Sequence, residues 1–168
     1  MLAYTMSDKR GDLDLVMLGL SEKLEDAGWK TAGLVQINSD CGDDRPCDMD
    51  VKVLPDGPVL RISQSLGKDS RGCRLDMNAL ETAVGRVTQT LSAQTDVLLV
   101  NKFGKQEADG RGFRNVIGTA VGLGIPVISG VNALNREAFL SFSDGCATQV
   151  PTDVDALFDW LVTLKGAK

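Results

Sequence analysis

An apolar run of valine and leucine, residues 97–100, constrains the fold of this chain more than any other segment. The run shows no polar–apolar alternation, which is typical of a parallel strand that is buried on both faces. Polar and charged residues follow it closely: Asn101, Lys102, Gly104, Lys105 and Glu107. Because open α/β sheets bind ligands just beyond the carboxyl ends of their strands, the sequence predicts a binding site here.

The rest of the chain alternates between strand and helix patterns. Strands are predicted at 2–6, 31–37, 126–131 and 147–150, and helices at 12–27, 80–91, 112–123, 135–142 and 153–164. Such alternation favours a three-layer α/β fold, in which helices flank a mainly parallel sheet. At the helix ends, Gly28 suits a C′ position, Asp76 or Asn78 an N-cap, and Thr152 with Asp155 a capping box.

Residues 38–74 interrupt this alternation. Residues 38–50 are rich in aspartate and resemble a loop, and strands at 51–54 and 58–63 flank the turn sequence Pro55-Asp56-Gly57. We interpret residues 38–74 as a loop and β-hairpin insertion within a single α/β domain, 1–168.

Composition limits the class of function. The net charge of −5 argues against a nucleic-acid partner. No apolar run approaches the ~18 residues of a membrane span, and a signal-peptide pattern is absent, so we expect a cytoplasmic protein without a membrane partner. The sequence contains no histidine, which removes Ser-His and Cys-His catalysis and His-ligated zinc.

The four cysteines give one candidate thiol. Cys73 precedes a predicted helix and is followed by Arg74, which would favour a reactive thiolate; the alternative is a small residue packed at a loop end. Cys41 and Cys47 stand among acidic residues that could chelate a divalent cation, but their spacing matches no common zinc pattern. We therefore predict no protein metal site.

The turn after the first strand is the usual phosphate cradle of α/β proteins. A P-loop requires GxxxxGK[ST], in which glycines let backbone amides wrap the phosphates and lysine neutralises charge. Here Lys9 and Arg10 precede Gly11, and Asp12 follows it. An anion could bind these amides and the two cations, although Asp8 and Asp12 would oppose it; alternatively this is a solvated charged turn.

A second basic stretch follows the central strand. It combines four cations with two glycines that permit close backbone approach at a helix N-terminus: Lys102, Lys105, Gly110, Arg111, Gly112 and Arg114. Such donors suit a tetrahedral oxyanion or a phosphate group. In the alternative interpretation the cations pair with Glu107 and Asp109 at the surface.

The chain resembles a degenerate relative of the P-loop nucleoside-triphosphatases of the THEP type. The resemblance is carried by the short first strand with its turn and helix, and by three segments: 29–36, 100–107 and 124–129. It implies a P-loop fold and a nucleotide bound with magnesium. Where the family has its Walker B acid, this chain has Asn101 and then Lys102; only Gly104 and Glu107 match the motif.

The chain is also similar to an uncharacterised bacterial family associated with molybdenum genes, through residues 70–76 and 101–114. This similarity implies molybdate as a ligand. We therefore expect a protein that binds a small anion, either an oxyanion or a nucleotide phosphate, without efficient hydrolysis. The alternatives are a magnesium-dependent nucleoside-triphosphatase that uses Glu107, with metal held by Asp8, Asp12 or Asp14, and an assembly protein that acts as a homo-oligomer.

Overall fold

A computed structural model describes residues 1–9, 11–38, 48–64 and 74–166. The strands are β1 (Leu2–Thr5), β2 (Thr31–Asn38), β3 (Met49–Leu54), β4 (Val59–Arg61), β5 (Val97–Phe103), β6 (Val127–Val131) and β7 (Thr148–Gln149). The helices are α1 (Asp12–Asp26), α2 (Met77–Thr90), α3 (Lys105–Ala108), α4 (Arg114–Gly122), α5 (Arg136–Phe142) and α6 (Val154–Gly166). Within the described residues, no helix is both long and apolar enough to cross a membrane.

The strands form one seven-stranded sheet in the order β4-β3-β2-β5-β6-β1-β7. The five strands from β2 to β7 in this order are parallel, and β3 and β4 add an antiparallel hairpin at the β2 edge. The predicted β-hairpin therefore extends the sheet. Parts of the loop and hairpin insertion, 39–47 and 65–73, lie outside the described residues.

Helices cover both faces of the sheet. On one face, α1 and α6 bury apolar side chains such as Met17 and Leu157 against alternate residues of the central strands. On the other face, α2, α4 and α5 bury Val84, Ile117 and Phe139 against the remaining ones. All four residues of the run 97–100 are at most 1% exposed, because each face of β5 is covered. The predicted three-layer α/β fold is confirmed.

The connections that follow β1 and β6 determine where the sheet opens a crevice. The chain leaves β1 through α1 on one face and leaves the neighbouring β6 through α5 on the other face. Adjacent strands whose connections depart to opposite faces open a crevice at their carboxyl ends. This crevice lies between the β1–α1 turn and the ends of β5 and β6.

Several local predictions need correction. The capping box at Thr152 and Asp155 is wrong: Asp153 accepts a hydrogen bond from the Ala156 amide, and Thr152 bonds to the Met6 carbonyl instead. Asp155 forms an ion pair with Lys23 of α1. Val121, which the apolar pattern predicts on the inner side of α4, is 39% exposed.

Two helix ends follow the sequence prediction. Asp76 is the N-cap of α2, and its carboxylate accepts from the amides of Asn78 and Ala79 at 2.9 and 3.0 Å. Gly28 has φ +72° at the end of α1, where its amide donates to the Glu25 carbonyl. Both ends therefore use the residue types that suit these positions.

Candidate functional site

Ser7 links the two ends of the β1–α1 turn. Ser7 Oγ donates to Asp12 Oδ2 at 2.7 Å and accepts from the Lys9 amide at 3.2 Å. Gly11, in the N-cap position of α1, has φ +82°, a conformation that glycine adopts without strain. Within the described part of the chain, no side chain caps α1. The first amides of this helix therefore face the crevice without a side-chain acceptor of the N-cap kind.

Asn101 occupies the end of β5 and is buried. Its Oδ1 accepts from the Gln36 amide of β2 at 2.9 Å, and its Nδ2 donates to Asp14 Oδ1 at 2.8 Å. The side chain therefore joins β2, β5 and α1. This is a positioning role in the described structure, in which both ends of the carboxamide are used.

Lys102 contacts the same carboxylate. Its Nζ lies 2.6 Å from Asp14 Oδ1; the Lys102 side chain is 38% exposed, and that of Asp14 is 5% exposed. The pairing of β5 with β6 is irregular between Val100 and Phe103, which interrupts the usual alternation of side chains between faces. Because of this irregularity, both Asn101 and Lys102 reach α1.

β5, β6 and α1 pack closely at Gly130, where a side chain would not fit. A Cβ on Gly130 of β6 would lie 2.2 Å from the Asn101 carbonyl oxygen and 2.7 Å from Leu13 Cδ2. Leu13, in the first turn of α1, is consequently packed directly on β6. On the other side, Thr5 at the end of β1 donates to Thr152, which anchors the strand to the segment before α6.

Glu107 lies on the short helix α3 and is 4% exposed. Its Oε2 accepts from the Gly104 amide at 2.8 Å and its Oε1 from the Phe113 amide at 3.1 Å. Burial raises the pKa of Glu107 above its usual value, the backbone hydrogen bonds oppose this shift, and the charge of Glu81 adds to it. Both carboxylate oxygens thus serve to hold the loop between β5 and α4.

The two amides just before α4 are bonded to carboxylates of the protein itself. The Gly112 amide donates to Glu81 Oε1 at 3.0 Å, next to the Phe113 amide that Glu107 occupies. Gly112 has φ +56°, and a Cβ there would lie 2.3 Å from Glu107 Oε1. Only glycine fits at this position, because the Glu107 carboxylate lies too close for a Cβ. This carboxylate occupies the place in which the sequence predicts a bound anion.

The predicted anion-binding residues separate into two groups. Lys102, Asn101, Lys9 and Gly11 lie around the first turn of α1 and the end of β5. Gly104, Lys105, Gly110, Arg111, Gly112 and Arg114 belong to the β5–α4 connection. Arg10 and Cys73 lie outside the described residues. The binding roles of all these residues, and the catalytic role of Glu107, stay predictions.

Within the second group, the cations differ in their contacts. Arg114 lies 4.5 Å from the centre of the Phe142 ring and donates to the Glu107 carbonyl at 3.2 Å, so it braces the loop. Lys105 and Arg111 are exposed. Arg111 lines a groove of about 370 Å³ between the start of α2 and α4, together with Glu81 and carboxamides such as Asn115.

Sequence reasoning did not rank Asp14 among the anion-site residues. The available signal was its position three residues before Met17, on the buried stripe of α1. A carboxylate on the apolar face of an amphipathic helix requires a partner in the core. Two partners, Asn101 and Lys102, are 87 and 88 residues away in sequence and could not be assigned before the fold was known.

A magnesium ion at the usual P-loop position does not fit this donor set. Asn101 replaces the acid on the strand, its Oδ1 already accepts from Gln36, and Asp14 Oδ1 is bound to Lys102. The residue after Asp12, where a P-loop has its hydroxyl, is the buried Leu13. Magnesium requires several oxygen ligands in octahedral geometry, and an adjacent ammonium repels it.

The fold is that of the P-loop nucleoside-triphosphatases. A crystal structure of THEP1 from the hyperthermophile Aquifex aeolicus is similar to this chain with a TM-score of 0.59, over 98% of this chain and 96% of that chain. Sequence identity in this comparison is 11%, so the likeness concerns the fold.

The sequence itself gives the family. Residues 2–160 match the model of the family described as "Protein of unknown function (DUF2478)", and the chain belongs to this family. A curated relative, the molybdenum import ATP-binding protein ModC 2 of Bradyrhizobium diazoefficiens, is 33% identical over 149 residues. The match covers 89% of this chain and 17% of that protein.

Proposed function

We propose that this protein binds a tetrahedral oxyanion group, either the phosphate chain of a nucleotide or free molybdate, without efficient hydrolysis. The proposed site lies at the carboxyl edge of the sheet, between the first turn of α1 and the end of β5. One observation carries the proposal: the N-terminus of α1 lies at the crevice without a side-chain cap in the described residues, and Lys102 reaches its first turn.

The physical basis is the combination of a helix N-terminus with cations. Backbone amides at the start of a helix carry partial positive charge and bind phosphates readily. Lys9 lies in the turn and Lys102 reaches it from β5, and each ammonium can give a charge-assisted hydrogen bond to an anion. The segment before α4 offers less, because Glu81 and Glu107 already accept from the amides of Gly112 and Phe113.

Weak or absent hydrolysis follows from the same geometry. Phosphoryl transfer in P-loop enzymes depends on a magnesium ion and on a residue that orients water. The donor set at the end of β5 does not suit the metal, as described above. Glu107 is buried with each carboxylate oxygen bonded to a backbone amide, which leaves it poorly suited to activate water.

The relatives are consistent with both ligand sources. The name of the ModC 2 protein refers to ATP binding and to molybdenum import, although this chain corresponds to only 17% of its length. ATP phosphates and molybdate share tetrahedral oxygens that accept the same donors. We therefore retain both sources within one site and separate them by experiment.

Isothermal titration with ATP, GTP, inorganic phosphate, sulfate and molybdate, each with and without magnesium, tests this proposal. We expect saturable binding of ATP or of molybdate that does not require magnesium; the first result identifies a nucleotide, and the second a free oxyanion. Lys30→Ala, at the opposite edge of the sheet, is the matched control and should bind as the parent does. The absence of binding by any of these ligands would refute the proposed function.

Hydrolysis is measured on the same samples. Magnesium-dependent phosphate release well above a protein-free blank, abolished in Glu107→Gln, would overturn the non-hydrolytic part of the proposal and favour a nucleoside-triphosphatase. If Lys30→Ala releases phosphate as fast as the parent does, a general effect of charge substitution is excluded.

A further inference from the structure

We infer that Lys102 is the ligand-contacting cation of this site and that Asp14 restrains it in an internal ion pair which the oxyanion must displace. This inference rests on the proposed function and adds the residue that limits affinity. It assigns to Asp14 a role opposed to binding, although Asp14 lies at the site.

The contact geometry places the cation at the first turn of α1. Asp14 is the third residue of the helix, and Lys102 Nζ lies 2.6 Å from its Oδ1. Lys102 comes from the end of β5, so its side chain spans the crevice from strand to helix. A ligand at the helix N-terminus and the Asp14 carboxylate would compete for the same ammonium.

Compared with a P-loop, the positive and the negative residue occupy exchanged positions. In the motif, lysine follows the last glycine of the turn and contacts phosphate, whereas the acid at the strand end holds magnesium. Here Asp12 follows Gly11, and Lys102 stands beside the strand-end position of Asn101. The positive charge thus enters the site from β5 rather than from the turn.

Displacement of Lys102 is physically reasonable because Asp14 retains a second donor. Asn101 Nδ2 donates to the same Asp14 oxygen at 2.8 Å, so the buried carboxylate keeps this hydrogen bond when the ammonium leaves. Lys102 is 38% exposed, and its flexible four-carbon chain allows the ammonium to move toward a ligand. The energy lost in the ion pair is regained in a charge-assisted bond to the oxyanion.

Neutralising Asp14 should therefore strengthen binding, because it removes the negative charge that competes with the ligand for the Lys102 ammonium. We expect Asp14→Asn to tighten the binding of ATP or molybdate by roughly tenfold, and Lys102→Ala to weaken it by about the same factor, the scale of one charged hydrogen bond. Asn retains an oxygen that can accept from Asn101. Lys30→Ala serves again as the control.

The double variant Asp14→Asn/Lys102→Ala separates this mechanism from a general effect of charge. If Asp14 acts by restraining Lys102, its neutralisation should bring little gain once the lysine is absent, and the two effects will not add. A general repulsion between Asp14 and the ligand would instead give the same gain with or without Lys102, and that additivity would overturn the inference.

Titration of the full chain with ATP and with sodium molybdate, without magnesium and at low salt, gives the result. If the parent protein binds and Lys102→Ala binds equally well, the inference fails while the proposed function stands. Tighter binding by Asp14→Asn than by the parent, with the gain lost when Lys102→Ala is added, would support the inference. If neither protein binds, the proposed function fails and the inference fails with it. Circular dichroism checks folding, and Lys102→Ala, at a partly exposed position, keeps the test decisive if Asp14→Asn unfolds.

Discussion

Two strand-to-helix connections lie at the same edge of the sheet, and they differ in what the amides just before the helix are bonded to. In the connection from β5 to α4, Glu81 and Glu107 accept from the amides of Gly112 and Phe113. In the connection from β1 to α1, no carboxylate accepts from an amide of the described residues before the helix, and the Lys9 amide donates to the Ser7 hydroxyl. Both contain glycines and cations, so these residue types alone do not distinguish an anion site open to ligands from one filled by the protein.

The largest expected effect concerns the filled connection. Glu107→Ala would leave the buried amide of Phe113 and the partly buried amide of Gly104 without their carboxylate acceptor. Each unsatisfied donor costs about 1–3 kcal/mol when buried, so the free energy of unfolding should fall by about 2–6 kcal/mol. Urea unfolding followed by circular dichroism measures this loss. Glu22→Ala, an exposed change on α1, should have little effect; equal stability of both variants would mean that the carboxylate is not a structural substitute for an anion.

A smaller change in the free energy of unfolding is expected when the pH is varied. Because burial raises the pKa of Glu107, the folded state binds its proton more tightly than the unfolded state does. The stability contributed by this carboxyl is therefore fully present below the unfolded value of about 4.3 and is lost as pH rises through the higher folded value.

The stability difference between the parent and Glu107→Gln should consequently decrease as pH rises above about 4.3. Thermal or urea unfolding of both proteins across this range provides the measurement, and glutamine removes only the titrating group. A difference that grows with pH would show that the two amide bonds outweigh burial and lower the pKa of Glu107.

The smallest expected effect is on ligand affinity, and it shows which of the two connections binds the ligand. Lys9→Ala should weaken binding of ATP or molybdate a few-fold, since an exposed charge contributes about 0.2–1 kcal/mol. Lys105→Ala, on the filled connection, should weaken it less. Titration calorimetry at low salt can resolve this order. The reverse order would return the site to the basic, glycine-containing stretch after β5.

The fold could be predicted from sequence because its signals are local. The uninterrupted run 97–100 and the helical spacing of residues such as Leu13, Met17 and Leu20 each act within a few positions. The helix α3, with four residues, is too short to show periodicity and was not predicted. Val121 follows the apolar pattern, four residues after Ile117, but is 39% exposed.

The site was predictable only in outline. The end of β5 is marked by Asn101 and Lys102, yet the contacts of these residues with Asp14 depend on the packing of α1 against the sheet. The spacing of Gly104 and Glu107 fits a helix N-terminus, but the second contact of Glu107, with Phe113, depends on the path of the loop. Long-range contacts of this kind leave no pattern in neighbouring residues.

The ends of the sheet bear on how copies of this chain could associate. The edge strands β4 and β7 have three and two residues. On β4, Arg61 pairs with Asp48 and Asp50, so charged groups line that edge. The shortness of both edges and the charges along β4 give a second molecule few backbone groups for sheet extension and thereby guard against aggregation. A homo-oligomer, which stays a prediction, would consequently be expected to form through helical faces.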